Sequence, residues 1–398
     1  MSTKVKRHGE RDVTASHSMI PTRFSPSPAL RERSHGRLAH LARFLTVGDD
    51  VGDEASAALT PLPLPEREAQ LSRLLADPGS ALTTPLRPLS QSLYPTPPWV
   101  DFTRCDRGGA TLMRAGIFGG LVLGLRSLVL GYCSPGGNKP LVFSGRLKEN
   151  APRRLAETGR FFQAVCLPGG MRPGGEGFGA SVRVRLVHSQ VRRLLVPSPR
   201  WDSGVWGTPV NQVDMAGTIL LFSLAVVDGL RLLGLRLTSE EMEDVLHLWR
   251  WVGHVMGVDS ELLCGSEAEA RSLWALVSET AGAPDEDSVA LTHALLNSMT
   301  HPPADRGPGL PPSVVFTLSR FLIGDARADA LKYPRSVLRH ATPALRGLLF
   351  GGGALLQRLP LGDQLMRKAG TAYWERVVRE GLEGQAARFE MPERLRHG

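Results

Sequence analysis

The segment SVRVRLVHSQVRRLL (181–195) spaces its apolar residues as an α-helix does. Five positions of one helical face are occupied by Val184, Val187, His188, Val191 and Leu195. The arginines of the segment lie largely beside or off this face, and Pro197 ends the pattern. A helix of this kind has to bury its apolar stripe, and here the stripe contains an imidazole.

Helix start and stop signals recur along the chain. Asn150 is a favourable N-cap with Pro152 in the first turn, which predicts a helix that runs to about Cys166. Its inward stripe is predicted to consist of Leu155, Thr158, Phe162 and Val165. A further helix is predicted to begin at Pro209 and to reach Gly234.

Two capping boxes predict further helices, one from Thr238 with Glu241 and one from Ser266 with Glu269. The first helix is predicted to end near Gly257 and the second to span 267–281. No strand-like alternation runs long enough to build a sheet. The sequence therefore predicts an all-α fold.

The domain organisation follows from composition. Residues 1–60 are basic, rich in Ser and Thr and weakly periodic, which predicts a loosely held, flexible arm. Residues 61–99 are punctuated by proline around one short predicted helix, Glu66–Leu75. The main folded domain is predicted over 100–335, with C-terminal helices over 336–398 packing on it.

Charge and aromatic content argue against nucleic-acid binding. The formal net charge is +8, but the basic residues are dispersed and only four tyrosines occur in 398 residues. Nucleic-acid binding needs basic residues gathered on one face. We therefore expect no nucleic-acid partner, and the sequence makes no prediction of oligomeric state.

Cysteine spacing and apolar stretches bear on compartment. The four cysteines are far apart, without a C-x-x-C pair, which predicts reduced thiols and no zinc site. The apolar stretches Ala115–Leu125 and Met215–Val227 are shorter than the roughly 20 residues that span a bilayer, so they are predicted to be buried helices. The polar N-terminus shows no signal peptide, and we expect a cytoplasmic protein.

His188 is the best candidate for a haem-iron ligand. Such a ligand needs an imidazole on a rigid element in an apolar pocket, with cations near the mouth for the propionates. Arg192, one turn beyond His188, is a candidate for the cation. The alternative is a hydrogen-bonded core histidine, which is the commoner use of a lone His on an apolar face.

Arg154 and Thr158 are four residues apart on the helix that precedes His188. Placing both at an apolar cavity makes sense if a polar ligand has to be positioned there. The alternative is that Arg154 makes a surface ion pair and Thr158 bonds its own helix backbone. The residues alone leave these alternatives open.

Two other signals suggest different chemistry. Glu243, His247 and His254 share one predicted helical face, as in a non-haem metal site, but no second Glu-x-x-His faces them. The glycine-rich loop 169–179 lacks the order of a phosphate-binding loop. We expect its glycines to allow a tight turn and a close approach to a flat ligand.

Several separate motifs resemble one known family. They run in the family's order over about residues 95–335: Arg154-x-x-x-Thr158, PGGMRPGGEGFG (168–179), VRVRLVHSQVRR (182–193), WGTPVNQVDMAGTILLFS (206–223), LHLWRWVGHVMGVDSELL (246–263) and SRFLIGDARADAL (319–331). The family is that of the rubber oxygenases, or latex clearing proteins. Its wider membership includes the oxygenase that cleaves a prenyl chain in mycophenolic acid biosynthesis.

This resemblance implies a globin-like helical core with additional helices around one non-covalent b-type haem. By motif position His188 is implied to be the iron ligand, with Arg154 and Thr158 beside the haem as catalytic residues. Arg192 and, more weakly, Arg320 are implied as propionate partners. The implied reaction is a dioxygenation in which both atoms of O2 enter a carbon–carbon double bond of an apolar, isoprenoid substrate, giving an aldehyde and a ketone.

Some features depart from the rubber-cleaving members. Those enzymes are secreted, and some place a Lys on the distal side of the iron, whereas this chain has no Lys between Lys6 and Lys139. Arg73 is the nearest candidate in kind, but it is a poor iron ligand. The catalytic carboxylate is not assigned, since spacing favours neither Glu149 nor Glu157. Two alternative functions stay open: a haem protein without turnover, such as a sensor or carrier, and an iron-free binder of apolar ligands.

Overall fold

A computed structural model describes residues 20–81, 84–143, 151–300, 309–336, 347 and 362–381 of the chain. Within these ranges the backbone forms helices and loops without a β-strand, and the all-α prediction is confirmed. The N-terminal half contains α1 (Pro28–Arg43), α2 (Asp50–Leu59), α3 (Leu64–Ala76), α4 (Arg87–Leu93), α5 (Phe102–Arg114), α6 (Gly116–Val122), α7 (Leu128–Tyr132) and α8 (Pro135–Phe143).

The remaining described residues form a second set of helices. These are α9 (Ala151–Cys166), α10 (Glu176–Leu195), α11 (Ser203–Trp206), α12 (Gln212–Phe222), α13 (Leu224–Leu232), α14 (Ser239–Val255), α15 (Glu267–Thr280), α16 (Glu286–Thr300), α17 (Pro312–Ile323), α18 (Asp325–Ala330) and α19 (Gly362–Gly381). Short 3-10 turns lie at Phe44–Thr46, Pro78–Ala81 and Ser260–Leu262, and a π-turn, Leu123–Ser127, joins α6 to α7.

The prediction of a flexible arm over 1–60 is wrong for residues 20–60; residues 1–19 lie outside the described part of the chain. Helices α1 and α2 are packed into the protein, with Leu38 and Leu41 buried in the main core. Asp49, at the start of α2, forms a buried ion pair with Arg185 of α10. An ion pair to a residue 136 positions away leaves no local signal in the sequence.

The lead-in 61–99 contains a second helix besides the predicted Glu66–Leu75, which is found as α3. Helix α4 is only seven residues long, yet its Leu89 and Leu93 are fully buried. Two leucines one turn apart are too short a pattern to distinguish a helix from a loop.

The helix predicted from Pro209 to Gly234 is broken at Ser223. It begins at Gln212, where the Asn211 side chain caps the first turn by accepting the Asp214 amide. The Ser223 hydroxyl donates to the Ile219 carbonyl at 2.8 Å, a back-bond of the kind that bends helices. The chain therefore continues as α12 and α13, and α13 ends at Leu232.

The predicted capping box of α14 is present. The Glu241 amide donates to the Thr238 hydroxyl, and the Thr238 amide donates to the Glu241 carboxylate. At α15 the Ser266 hydroxyl caps the helix as predicted, but the Glu269 carboxylate accepts from the Gly265 amide instead.

Stacked aromatic rings join the central helices. Trp249 of α14 stacks on Phe222 of α12 and on Phe162 of α9, with centroids 5.0 and 5.9 Å apart. Trp374 of α19 packs against Phe162 at 5.1 Å, so this helix closes one side of the core. Of the region 336–398, the structure describes little else, and Gly351–Gly353 lie outside it.

Among the described residues, one helical stretch, Gln212–Leu232, is long and apolar enough to cross a membrane by length and composition alone. In the structure 83% of its most apolar window is buried. The pair Phe102–Arg114 and Gly116–Tyr132 passes the same test only if it is taken together, and it bends by 89°. Burial among other helices is typical of core helices.

Candidate functional site

The apolar stripe of α10 faces a large cavity. Its volume is about 780 Å³, within the roughly 300–1,000 Å³ typical of cofactor sites. His188 lines this cavity, and Val184, Val187 and Val191 lie beside it on the same helix face. The Nδ1 atom of the imidazole is buried. The stripe predicted from spacing is therefore the wall of a cavity large enough for a flat cofactor.

The facing wall comes from α9, where Leu155, Thr158 and Phe161 line the same cavity. Parts of the two predicted stripes thus meet in one space. Phe162 and Val165 of the α9 stripe and Leu195 of the α10 stripe are buried elsewhere and do not line the cavity. Most of the other lining side chains are apolar and come from α7, α8, α12, α14, α15 and α16: Leu128, Leu130, Pro140, Leu141, Val213, Met215, Ile219, Leu221, Phe222, Trp249, Trp274, Val277 and Leu295.

The turn before α10 fixes where that helix starts. A Cβ on Gly177 would lie 2.6 Å from the Ala164 carbonyl oxygen, and one on Gly170 only 2.1 Å from the same atom. Glycine at both positions therefore lets the loop pack against the end of α9. None of the residues 169–179 lines the cavity, so the expected approach to a flat ligand is wrong, whereas the expected tight turn is present.

Helix α10 is held in place by a buried pair of charges. Arg185 donates to both Asp49 carboxylate oxygens, at 2.6 and 2.8 Å, and the two side chains are 4% and 5% exposed. The pair ties α10 to the beginning of α2, where Asp49 also accepts the Gly52 amide. His188 follows Arg185 by three residues, so this ion pair holds in place the part of α10 that carries His188.

Two carboxylates line the cavity, and each already has a cation. Glu157 pairs with Arg153 one turn away on α9, at 3.2 Å. Asp214 accepts two hydrogen bonds from Arg23, at 2.9 and 3.0 Å, and one from the Asn211 side-chain amide. Of the two carboxylates left open by the sequence, Glu157 lies on the cavity wall and Glu149 is outside the described residues.

Arg192 does not serve as the predicted propionate partner. Its guanidinium is 2% exposed and absent from the cavity lining. It bonds Asp53 at 2.7–3.1 Å and also the Ser189 hydroxyl and the Val210 carbonyl. Arg192 is one turn from His188. Its side chain nevertheless binds the Asp53 carboxylate of α2 and does not line the cavity.

Arg320 is also wrong as a propionate partner. It lies on α17 and pairs with Asp325 and Asp329 of α18, at 3.0 and 2.8 Å. Arg73 is exposed on α3, away from the cavity. The backbone of Arg154 belongs to α9, but its side chain is outside the described part of the structure. Its position beside a cofactor therefore stays a prediction.

Sequence reasoning missed Arg327, the one arginine whose side chain lines the cavity among the described residues. It lies on α18 with Ala326 and Ala330, which are also exposed lining residues and mark the opening of the cavity. Helix α18 has only six residues, too few for a periodic signal. The family motif SRFLIGDARADAL (319–331) does contain Arg327, but the resemblance pointed to Arg320 of the same motif.

The cluster considered for a non-haem metal does not converge. Glu243 is exposed, whereas His247 is buried and its Nε2 accepts the Asp101 amide at 2.9 Å. His254 stacks on Trp251, with centroids 5.3 Å apart. Burial lowers the pKa of both imidazoles below the usual value. Their contacts are those of packed structural side chains.

The four cysteines are free thiols, and none of them forms a disulfide. Burial raises the pKa of Cys105 to about 12 and the pKa of Cys133 to about 11. Cys133 also lines the cavity. These thiols stay protonated near neutral pH.

Comparison with known proteins identifies the domain around the cavity. Residues 113–352 match the family described as ER-bound oxygenase mpaB/B'/Rubber oxygenase, catalytic domain. A rubber oxygenase of Streptomyces sp. (strain K30) is 28% identical over 250 residues, which are 62% of this chain and 60% of that protein. The chain thus matches less than two thirds of its relative's length.

A solved structure of latex clearing protein in the closed state has a similar fold. Its TM-score is 0.69 at 23% identity, and the superposition covers 88% of this chain and 95% of the other. The likeness in fold therefore extends beyond residues 113–352.

Proposed function

The chain belongs to the mpaB/rubber oxygenase catalytic-domain family, and from this premise we propose that it is a haem b-dependent dioxygenase. It would cleave carbon–carbon double bonds of an apolar, isoprenoid substrate. The observation that carries the proposal is one cavity, about 780 Å³ and mostly apolar, that both His188 and Thr158 line.

The residues of the cavity fit a haem. Among the described lining residues His188 is the only imidazole, and a neutral imidazole on a rigid helix is a usual axial ligand of haem iron. The valines beside it provide the apolar surface that a porphyrin face needs. When bound, the haem iron would supply the binding and activation of O2.

The chain's own residues would do three things. The apolar wall would bind the hydrocarbon and exclude water. The Thr158 hydroxyl would donate a hydrogen bond that orients O2 relative to the substrate. The Glu157 carboxylate, which is paired with Arg153, would act as a hydrogen-bond acceptor on the cavity wall. A few polar groups in an otherwise apolar site are the usual means of fixing ligand orientation.

The overall reaction balances without an external reductant. Both bonds of the carbon–carbon double bond and the bond of O2 break, and two carbon–oxygen double bonds form. The olefin loses four electrons and O2 accepts four, so no flavin or nicotinamide is required.

Isotope-labelled O2 tests this reaction. The haem-loaded protein is incubated with squalene, as a short polyprenyl substrate, and with rubber latex, and the carbonyl products are trapped before exchange with water. We expect one labelled oxygen in the aldehyde and one in the ketone. Label in only one product contradicts a dioxygenase. A haem-loaded protein that gives no product from either substrate favours the haem sensor or carrier.

A further inference from the structure

In the described part of the chain, the cavity has one cation at its opening that no described carboxylate neutralises. Arg327 makes no side-chain hydrogen bond or ion pair with the described residues, whereas Asp214 and Glu157, the lining carboxylates, are paired with Arg23 and Arg153. The two acidic residues near Arg327 in sequence, Asp325 and Asp329, both form ion pairs with Arg320. Among the described lining residues, Arg327 is therefore the charge at the opening that has no described counter-charge.

The charge of Arg327 acts on another residue of the cavity lining, Cys133. Burial raises the pKa of the Cys133 thiol, and the nearby Arg327 guanidinium acts on it in the opposite direction. The two residues come from α18 and from the turn after α7, on the same cavity lining. The Arg327 guanidinium thus lies near the part of the cavity wall that contains Cys133.

We infer that Arg327 is the carboxylate-binding residue of this cavity, and that it pairs with a haem propionate when haem fills the space. The inference rests on the proposed function for its ligand. A porphyrin held by His188 carries two carboxylates at one edge, and that edge has to face the open end of an apolar cavity because burying unpaired charge is costly. The two arginines expected from sequence, Arg192 and Arg320, form ion pairs with other carboxylates and do not line the cavity.

A planar guanidinium suits this task because it bonds a carboxylate with two parallel N–H donors. A second carboxylate source is an acidic head group on the substrate, with its hydrocarbon chain in the cavity. The experiment separates the two sources.

The test titrates apoprotein with haem and with iron protoporphyrin dimethyl ester, whose propionates carry no charge. We expect Arg327→Gln to weaken haem binding about five- to tenfold and Arg327→Lys to weaken it less, as for a partly exposed charged pair. The ester is expected to bind wild type and Arg327→Gln equally. Arg335→Gln is the matched control, because Arg335 is exposed, lies eight residues on and is not part of the lining.

A second arm measures oleate and methyl oleate binding to the apoprotein and to the haem-loaded protein. If haem affinity is unchanged in Arg327→Gln but oleate binding falls and methyl oleate binding does not, the carboxylate belongs to the substrate. Unchanged affinity for both haem and oleate overturns the inference. If wild type takes up no haem, the proposed function fails, and the oleate arm on apoprotein still decides whether Arg327 binds a carboxylate.

Discussion

Replacing Asp49 by asparagine is expected to destabilise the protein by about 3 kcal/mol, because it leaves the Arg185 guanidinium buried without its counter-charge. The two side chains are 5% and 4% exposed and are joined by two hydrogen bonds. Breaking a buried pair at one partner costs about 3–5 kcal/mol. The lower value is expected because the asparagine carbonyl would still accept the Gly52 amide, and Arg185 keeps its bond to the Ser92 hydroxyl.

Urea unfolding followed by circular dichroism measures this loss. A loss of about 3 kcal/mol is a large part of the roughly 5–15 kcal/mol that stabilises most proteins. The control is Arg33→Ala, which breaks the exposed pair with Glu279 and is expected to cost no more than about 1 kcal/mol. Adding Arg185→Met to Asp49→Asn is expected to restore part of the stability, because it removes the buried unpaired charge.

The reasoning is refuted if Asp49→Asn loses no more stability than Arg33→Ala. It is also refuted if the double variant is less stable than Asp49→Asn alone. Either result means that the pair between α2 and α10 is not a desolvated anchor of the helix that carries His188.

Three further outcomes follow from the structure. Thr158→Val keeps the side-chain volume but removes the hydroxyl, and we expect haem uptake to be retained while product formation falls more than about tenfold; equal product yield contradicts the proposed role. His247 and His254 have pKa values lowered by burial, so the unfolded chain takes up protons first, and unfolding free energy is expected to fall as pH drops below about 6.5; a stability that is flat from pH 7 to pH 5 contradicts this. Gly177→Ala places a methyl 2.6 Å from the Ala164 carbonyl oxygen, and we expect a loss of about 1–3 kcal/mol in urea unfolding, where no change contradicts the close approach.

Helical periodicity predicted the part of the site that lies on two long helices. His188 and Thr158 were assigned from stripes with a 3.6-residue repeat, and both residues line the cavity, although Phe162 and Val165 of the second stripe do not. Such a pattern works because the side of a helix that is buried is set by its own residues. The fold class was predictable for the same reason.

The charged residues of the site were not predictable. Arg192 pairs with Asp53, 139 positions away, and Arg320 pairs with α18, so neither reaches the cavity. Which carboxylate an arginine meets depends on how the helices pack, and sequence spacing does not specify that. Arg327 was missed because its helix is shorter than two turns.

The central claim is that His188 binds haem iron in the cavity, and the absorption spectrum of the haem-supplied protein tests it most directly. We predict a red wild-type protein with a Soret band, and a band greatly weakened in His188→Ala and partly restored by added imidazole. The exposed His35 provides the control, since His35→Ala should leave the spectrum unchanged. A colourless wild-type protein, or a His188→Ala variant with the wild-type spectrum, contradicts the claim.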